Sequence, residues 1–197
     1  ELNPYREVLS KANEFVGYLP NAETVEPDTK LGLDDMFELV RKADEDYRTL
    51  QEKKEKLKQK IEEYRAKQQI VAPFRPLECD LHRVLHYRYI TYRFGRIAVE
   101  FYHKMQKYLM DDLKAIFVEG ERDESYVYGV YFVSQAETQK VDAVFRSLHF
   151  ERIELKDEFE GTPDTAYRVL ENEIARVNLE IEDLDKQAGE MLADRAP

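Results

Sequence analysis

Two long runs of apolar residues, spaced alternately three and four positions apart, constrain this chain more than any other feature. The first run covers residues 33–71 and the second covers residues 163–192. Such spacing places the apolar side chains on one face of a helix and is typical of coiled-coil seams. The first seam, in which only Lys54 and Gln68 are polar, comprises Leu33, Met36, Val40, Ala43, Tyr47, Leu50, Lys54, Leu57, Ile61, Tyr64, Gln68 and Val71. The second seam comprises Tyr167, Leu170, Ile174, Val177, Ile181, Leu184, Ala188 and Met191.

Both runs have recognisable ends, which predict how the two helices are arranged. At ~1.5 Å per residue the first helix would be about 58 Å long, too long for a small compact domain, so we expect it to project. The segment "APFRP" ends it, because proline lacks the amide proton that a helix needs. Thr162 is the predicted cap of the second helix, and Pro163 suits its first position. Since the chain leaves along one helix and returns along the other, we expect an antiparallel pair.

Between the two seams the apolar spacing changes to that of short strands and helices. It predicts a strand over residues 83–94, a turn at Gly95 and a helix from Val99 to Leu113. Next come the strands "AIFVEG" and "YVYGVYFV" with a charged hairpin tip, a helix with a capping box of Ser134 and Glu137, and the strand "ERIEL". This β-α-β-β-α-β order is the split arrangement of ferredoxin-like folds.

The predicted fold class is therefore α+β, a ferredoxin-like βαββαβ lobe at the end of a long antiparallel two-helix coiled coil. Four parts follow along the chain: a short amphipathic helix (residues 3–19) and linker within residues 1–28, the first coiled-coil helix at 29–73, the lobe at 74–160, and the second coiled-coil helix at 161–197.

Charge and cysteine content exclude several classes of function. The chain of 197 residues carries a formal net charge of −11, which argues against a general binder of nucleic acids or anionic membranes, because such proteins use excess Lys and Arg. The single cysteine, Cys79, allows no internal disulfide and suits a reducing compartment. We find neither an apolar stretch long enough to span a membrane nor a signal peptide, and the chain begins at Glu1. We therefore expect a soluble piece of a longer protein.

No pattern in the sequence predicts catalysis, a cofactor or a metal ion. Cys79, His82 and His86 resemble a metal-ligand spacing, but on a strand the two histidines would lie about 13 Å apart at ~3.3 Å per residue, too far for one zinc ion. The glycines are isolated, so no phosphate-cradling loop is visible, and no Ser/His/Asp set is recognisable. We predict a chain that is not an enzyme and has no cofactor and no metal.

A cluster of basic and aromatic residues in "RYITYRFGRIAVEFYHKM", residues 88–105, and just beyond it is the candidate binding region. Within an acidic chain, a local cationic edge favours docking of an acidic partner, and aromatic residues and arginines dominate interface energies. Scattered solubilising charge, and tyrosines that pack across strands, remain the alternative. The predicted partner-binding residues are Tyr89, Arg93, Arg96, Tyr102, Lys104 and Lys107.

Four segments, in their order and spacing, resemble a known family. They are "YRFGRIAVEFYHKM", "AIFVEGERDESYVYGVYFV", "VDAVFRSLHFERIEL" and "GTPDTAYRVLENEIARVNLEIEDL". Together, over roughly residues 77–190, they look like the cytoplasmic amino-terminal region of subunit I, also called subunit a, of bacterial and archaeal V-type/A-type ATPases. Ala98 departs from the proline expected after the Gly-Arg pair.

The resemblance implies a stator in a rotary ATPase that translocates protons or sodium ions. Such an arm docks peripheral stalk subunits, an E/G-type heterodimer, contacts other subunits of the complex, and links them to the membrane sector. It would lie at the cytoplasmic face, attached to the membrane only through a carboxy-terminal domain that is absent here, and it would contain no ATP site. Two alternatives are a ferredoxin-like regulatory domain that binds a small effector and a nucleic-acid-binding arm, which the net charge disfavours.

Overall fold

The computed structural model describes residues 33–111, 113–155 and 159–194, and these form a mixed α+β protein. The predicted helix at residues 3–19 and the linker after it lie outside the described residues. The helices are α1 (Leu33–Val71), α2 (Leu81–Leu85), α3 (Val99–Asp111), α4 (Thr138–Ser147) and α5 (Pro163–Asp194). The strands are β1 (Ile90–Ala98), β2 (Ala115–Arg122), β3 (Tyr126–Ser134) and β4 (Glu151–Arg152). Turns of 3-10 helix occupy Ala72–Phe74 and Gln135–Glu137.

The chain divides into two compact units, and each contains part of both long helices. The first unit comprises residues up to Glu62 and from Ala175 onward, and the second unit comprises Glu63–Ile174. In the first unit the predicted seam positions with described side chains are buried or half-buried, and most positions between them are exposed. Ile61 and Val177 are 5% and 0% exposed, and Lys54 Nζ donates to Asp185 Oδ1 at 2.6 Å. The burial follows the three-and-four spacing of the sequence. None of the described helices has the length and apolar character needed to cross a membrane.

The second unit contains a four-stranded sheet in the order β2-β3-β1-β4, in which all neighbouring strands are antiparallel. The pairing of β1 with β3 runs from Ile90 opposite Ser134 to Ala98 opposite Tyr126. In contrast, β4 pairs with β1 only at Gly95 and Arg96. The sheet therefore has one long central pairing and a very short last strand.

Both faces of the sheet are covered, because alternate residues of β1 and β3 point into two different cores. The helix-side core lies between the sheet and helices α3 and α4, and its buried members are Ile97, Tyr102, Met105, Leu113, Val127, Tyr131, Val133, Val141, Phe145 and Leu148. The root-side core lies on the other face and includes the end of α1, α2 and the start of α5. Its buried members are Val71, Phe74, Leu77, Leu81, Val84, Phe94, Val130, Leu155, Phe159, Ala166 and Leu170.

The start of the first strand was predicted wrongly. Leu81–Leu85 is a short helix, capped where the Arg83 N–H donates to Asp80 Oδ1 at 3.0 Å, and β1 begins only at Ile90. The aromatic and β-branched residues before Ile90 favour a strand locally, but Leu81 and Val84 are buried in the root-side core on one face of the short helix. Tertiary packing overrides strand propensity at this point.

Gly95 is not a turn, as the sequence predicted, but the middle of β1, where it lies opposite Gly129. A Cβ atom at Gly95 would lie 2.2 Å from the Glu151 carbonyl oxygen and 2.5 Å from the Phe150 ring. Glycine is required here because a strand and an aromatic ring approach closely, a role that glycine also has in bulges and at crowded strand crossings.

The predicted amino-terminal cap is wrong at helix α4 and confirmed at helix α5. The Ser134 side chain makes no capping hydrogen bond, because Ser134 is still paired with Ile90 and a 3-10 turn separates it from α4, so the predicted capping box is wrong. At α5 the Thr165 N–H donates to Thr162 Oγ1 at 3.2 Å and Pro163 is the first helical residue. Both predictions for α5 are confirmed.

Candidate docking surface

The six predicted partner-binding residues lie in separate places on the lobe. Tyr89 precedes β1 and is 79% exposed, while Lys104 and Lys107 are exposed on α3. Arg93 and Arg96 both belong to β1, but they are three positions apart and so point to opposite faces of the sheet. The structure does not gather the six side chains into one surface.

Tyr102 is buried in the helix-side core, so the prediction that it supplies exposed contact area is wrong. It is 6% exposed, its hydroxyl donates to Glu119 Oε2 at 2.6 Å, and Gln106 Nε2 donates to the hydroxyl oxygen at 3.1 Å. Burial, with a further contribution from Glu119, raises the pKa of Tyr102 to about 12. The signal that identifies it as a core residue is the helical spacing that it shares with Met105 and Leu109.

Arg96 is largely engaged within the lobe. Its Nε donates to Glu151 Oε2 at 2.6 Å, and its guanidinium carbon lies 4.0 Å from the centre of the Tyr126 ring, a cation–π geometry. Hydrogen bonding to Tyr128 first, and then to Glu151, raises the pKa of Arg96. With its side chain one-third exposed, Arg96 ties β1 to β3 and β4.

Arg93 reaches the other face and belongs to a cluster around one carboxylate. Tyr131 donates its hydroxyl to Asp142 Oδ1 at 2.6 Å, and Arg152 contacts Asp142 Oδ2 at 2.6 Å. Arg93 lies farther away, at 3.5 Å from the same oxygen. We call Arg93, Tyr131, Asp142 and Arg152 the Asp142 cluster. Burial, and then Asp142, raises the pKa of Tyr131.

The Asp142 cluster was missed by sequence reasoning. Its four residues come from β1, β3, α4 and β4, and only the strand order of the sheet brings them together. Each of the four is an ordinary polar or aromatic residue in its own segment, and no regular spacing along the sequence indicates that they lie together. The available signal was Arg93 itself, one of two arginines within a strand that is otherwise mostly apolar.

A groove runs along the edge of β1 where β4 has ended. Its volume is about 440 Å³, and its lining residues are Tyr87, Ile90–Phe94 and Arg152–Leu155. A second cavity, of about 300 Å³, adjoins the Asp142 cluster and is lined by Tyr131, Asp142, Phe145, Arg146, Phe150 and Arg152. Arg152 lines both, so the edge groove has a cationic wall.

The histidine pair of α2 is closer than the sequence argument assumed. Because residues 81–85 are helical and not extended, the His82 and His86 rings lie 4.5 Å apart rather than about 13 Å, and His86 Nδ1 lies 2.7 Å from the His82 carbonyl oxygen. Burial raises the pKa of the half-buried Cys79 thiol. Among the described residues, no three His, Cys, Asp or Glu side chains are grouped so as to hold a metal ion. The absence of a bound metal stays a prediction.

Comparison with known proteins gives a likeness to a solved structure. No protein-family model and no curated protein matches the chain. Among solved structures it is similar to the crystal structure of the cytoplasmic N-terminal domain of subunit I, homologue of subunit a, of V-ATPase, with a TM-score of 0.53 and 12% sequence identity. The match covers 98% of this chain and 67% of that one. At this identity the likeness shows a shared fold, the fold that the sequence resemblance implied.

Proposed function

We propose that this chain is the cytoplasmic stator arm of a subunit I, or subunit a, in a rotary V-type/A-type ATPase that moves protons or sodium ions. The observation that carries the proposal is the structural likeness, which extends over 98% of the chain and so includes both long helices as well as the lobe. The resemblance of four sequence segments to the same subunit supports it independently of the fold. In this role the chain is not catalytic, needs no cofactor, and is joined to the membrane through a further carboxy-terminal domain.

The stator role requires stiffness, and we propose that α1 and α5 supply it as an antiparallel coiled coil bearing a ferredoxin-like lobe. The antiparallel strand order β2-β3-β1-β4 supports the proposal of a split β-α-β-β-α-β lobe. Within the second unit Arg75 donates to Asp164, and Gln68 donates to the Tyr167 carbonyl oxygen. The later residue of the first segment therefore contacts the earlier residue of the second segment, as expected for two antiparallel segments. Bending two helices joined by a close-packed seam would break many contacts together, which is why such a pair transmits load.

The docking role requires a surface for an E/G-type heterodimer of the peripheral stalk, and we propose two patches rather than one. The first is the exposed side of α3 with Lys104 and Lys107, neither of which has an ion-pair partner among the described residues. The second is the edge of β1, where Tyr89 is exposed and Arg93 borders the groove, whereas Arg96 lies on the opposite face of the sheet. Both patches are cationic within a chain of net charge −11, so both favour an acidic partner.

The test of the stator proposal is a pull-down from native membranes with the 197-residue chain as bait. Stalk subunits in the eluate support the proposal, whereas a small metabolite or RNA would favour a regulatory or nucleic-acid-binding domain and contradict it. Purified stalk heterodimer is then titrated into the chain by calorimetry at low and high salt. We expect weaker binding at high salt, since screening weakens exposed charge pairs.

Charge reversal identifies the patch that binds. The double variant Lys104→Glu, Lys107→Glu should weaken binding, whereas Lys140→Glu, an exposed lysine on α4, is the matched control. Affinity that is indifferent to salt and to reversal of Lys104 and Lys107 would contradict a contact through α3.

A further inference from the structure

The cavity beside the Asp142 cluster lies on the helix side of the sheet, between α4 and β4, and we call it the α4 cavity. Its volume is about 300 Å³, and its inner wall is aromatic, because Tyr131 and Phe145 belong to the helix-side core. Leu155 and Phe159, which flank the gap in the described residues after β4, both belong to the root-side core. The α4 cavity and these two residues are therefore on opposite faces of the sheet.

The charges around the α4 cavity are unbalanced. Asp142 accepts from Tyr131 and contacts Arg152, both at 2.6 Å, and contacts Arg93 at 3.5 Å. Arg146 follows Asp142 by four positions on α4, so both lie on the same side of the helix, and both line the cavity. Arg146 has no ion-pair partner among the described residues. Three arginines beside one carboxylate leave a local excess of positive charge in a chain of net charge −11.

Asp142 holds Arg152 in place without using all of its donors. The Asp142 side chain is 13% exposed, whereas the Arg152 side chain is 44% exposed. A guanidinium carries five N–H donors, and a contact with one carboxylate oxygen occupies few of them. Arg93 shows the same shortage of acceptors, because its Nε is buried without a hydrogen-bond partner. A second carboxylate at the α4 cavity would therefore meet a guanidinium that is already positioned, which reduces the entropy lost on binding.

We propose that the α4 cavity receives a glutamate side chain of a partner protein. The carboxylate binds Arg146 and Arg152, and the methylene groups of the side chain pack on Phe150, which lines the same cavity. Charge complementarity favours this occupant, because arginine pairs with carboxylates in a planar geometry that uses two donors. A volume of about 300 Å³ is at the small end for a cavity that binds a small molecule, but it accommodates one side chain.

This contact on α4 and β4 adds to the two patches proposed above. The inference deepens the proposed docking function and rests on it for the identity of the partner, but its test does not use that partner.

The test titrates two blocked tripeptides, Ala-Glu-Leu and Ala-Gln-Leu, into the 197-residue chain labelled for NMR at low salt. The glutamate peptide should shift the amide signals of residues 142–152 and the side-chain Nε–H signals of the arginines among them. The glutamine peptide should bind about ten-fold more weakly, because a hydrogen bond to a charged group is lost. Propionate, which is the glutamate side chain without a peptide backbone, is the third probe and should bind more weakly than the glutamate peptide.

Variants of the chain separate Arg146 from general charge. Arg146→Gln should weaken binding of the glutamate peptide about ten-fold, and Arg146→Lys, which keeps the charge, should restore part of it. Arg146 is exposed, so urea unfolding should be unchanged in both variants. Lys140→Gln is the matched control and should bind normally, because Lys140 is an exposed cation of the same helix that does not line the cavity.

Three results would overturn the inference. Equal binding of the glutamate and glutamine peptides, or equal binding by Arg146→Gln and the parent, would leave the Asp142 cluster only a tie between α4 and β4. Propionate that binds as tightly as the glutamate peptide would assign the cavity to a free carboxylate anion.

Failure of the inference is distinguishable from failure of the stator proposal. If the glutamate peptide binds but no stalk subunit is recovered from membranes, only the stator proposal fails. If the stalk heterodimer binds but the peptide does not, only the glutamate site is wrong.

Discussion

Replacing Gly95 with alanine should destabilise the lobe, although alanine is ordinarily the better residue in a folded chain. Gly95 lies where β1 meets β4, and Phe150 packs over it while also contacting Tyr131 and Phe145, with ring centres 5.2 and 5.3 Å away. A Cβ atom there would meet the Glu151 carbonyl oxygen at 2.2 Å and the Phe150 ring at 2.5 Å. One obstacle is backbone and the other is a packed ring, so neither can move without disturbing the core.

The expected size of the effect follows from what must shift. Overfilling a packed core costs about 1–3 kcal/mol. Separating β4 from β1 would also sacrifice backbone bonds such as that from Ile153 to Phe94, at roughly 1 kcal/mol each. The lower backbone entropy of alanine in the unfolded chain returns about 0.5–1 kcal/mol. We therefore expect Gly95→Ala to lower the free energy of unfolding by about 2 kcal/mol.

The assay is urea unfolding followed by far-ultraviolet circular dichroism and tyrosine fluorescence, since the chain has 13 tyrosines and no tryptophan. Hydrogen exchange of β1 amides then localises the loss to the lobe. Gly189→Ala is the control, because a Cβ there has no atom within 4 Å and the residue is in α5, where alanine should stabilise by up to about 1 kcal/mol. A Gly95→Ala variant as stable as the parent, with unchanged exchange at β1, would refute the reasoning.

Four further predictions test other parts of the structure. Ile61→Asp should lower the helicity and reduce the free energy of unfolding in urea by more than about 3 kcal/mol, because it buries an unpaired charge. The control Gln59→Asp, at an exposed position, should change little, and equal unfolding curves for the two variants would disprove the pairing of the helices. The free energy of unfolding should fall as the pH rises from about 10 through about 12, because folding raises the pKa of Tyr102 from 10.0 to about 12 and the unfolded chain loses this proton first. Tyr102→Phe should flatten this fall in unfolding curves measured across that range. A double-mutant cycle on Lys54 and Asp185 should give a coupling below about 1 kcal/mol, since the Asp185 side chain is half exposed; a much larger value would mean that the pair is shielded from water. The purified chain should neither hydrolyse ATP nor retain stoichiometric metal, and turnover that persists through several columns, or one zinc per chain, would contradict this.

The elements that could be predicted from the sequence are those whose signals are local. The long helices follow from the three-and-four spacing alone, and the start of α5 follows from Thr162 and Pro163. The hairpin of β2 and β3 follows from two strand-forming runs on either side of a charged tip. Each signal lies within a few turns of helix or a few strand residues, so no knowledge of the partner segment was needed.

The features that could not be predicted depend on partners distant in sequence. Gly95 has the local appearance of a turn, and only the approach of Glu151 and Phe150 explains its place in a strand. The docking residues were chosen by type, yet burial separated Tyr102 from Lys104. The Asp142 cluster needs four elements at once. Charge and aromatic content indicate that a segment can bind, whereas the strand order decides which side chains remain available.

The composition of the root-side core also has a consequence for synthesis of the protein. That core holds Val71 near its beginning and Ala166 and Leu170 near its end, so it draws on chain segments about a hundred residues apart. Chains are made from the amino terminus at roughly 5–20 residues per second. Until Leu170 has left the ribosome, the sheet can bury its helix-side face but only part of its other face. During that interval the nascent lobe exposes an apolar surface, and we expect it to be a substrate for chaperones until α5 begins to emerge.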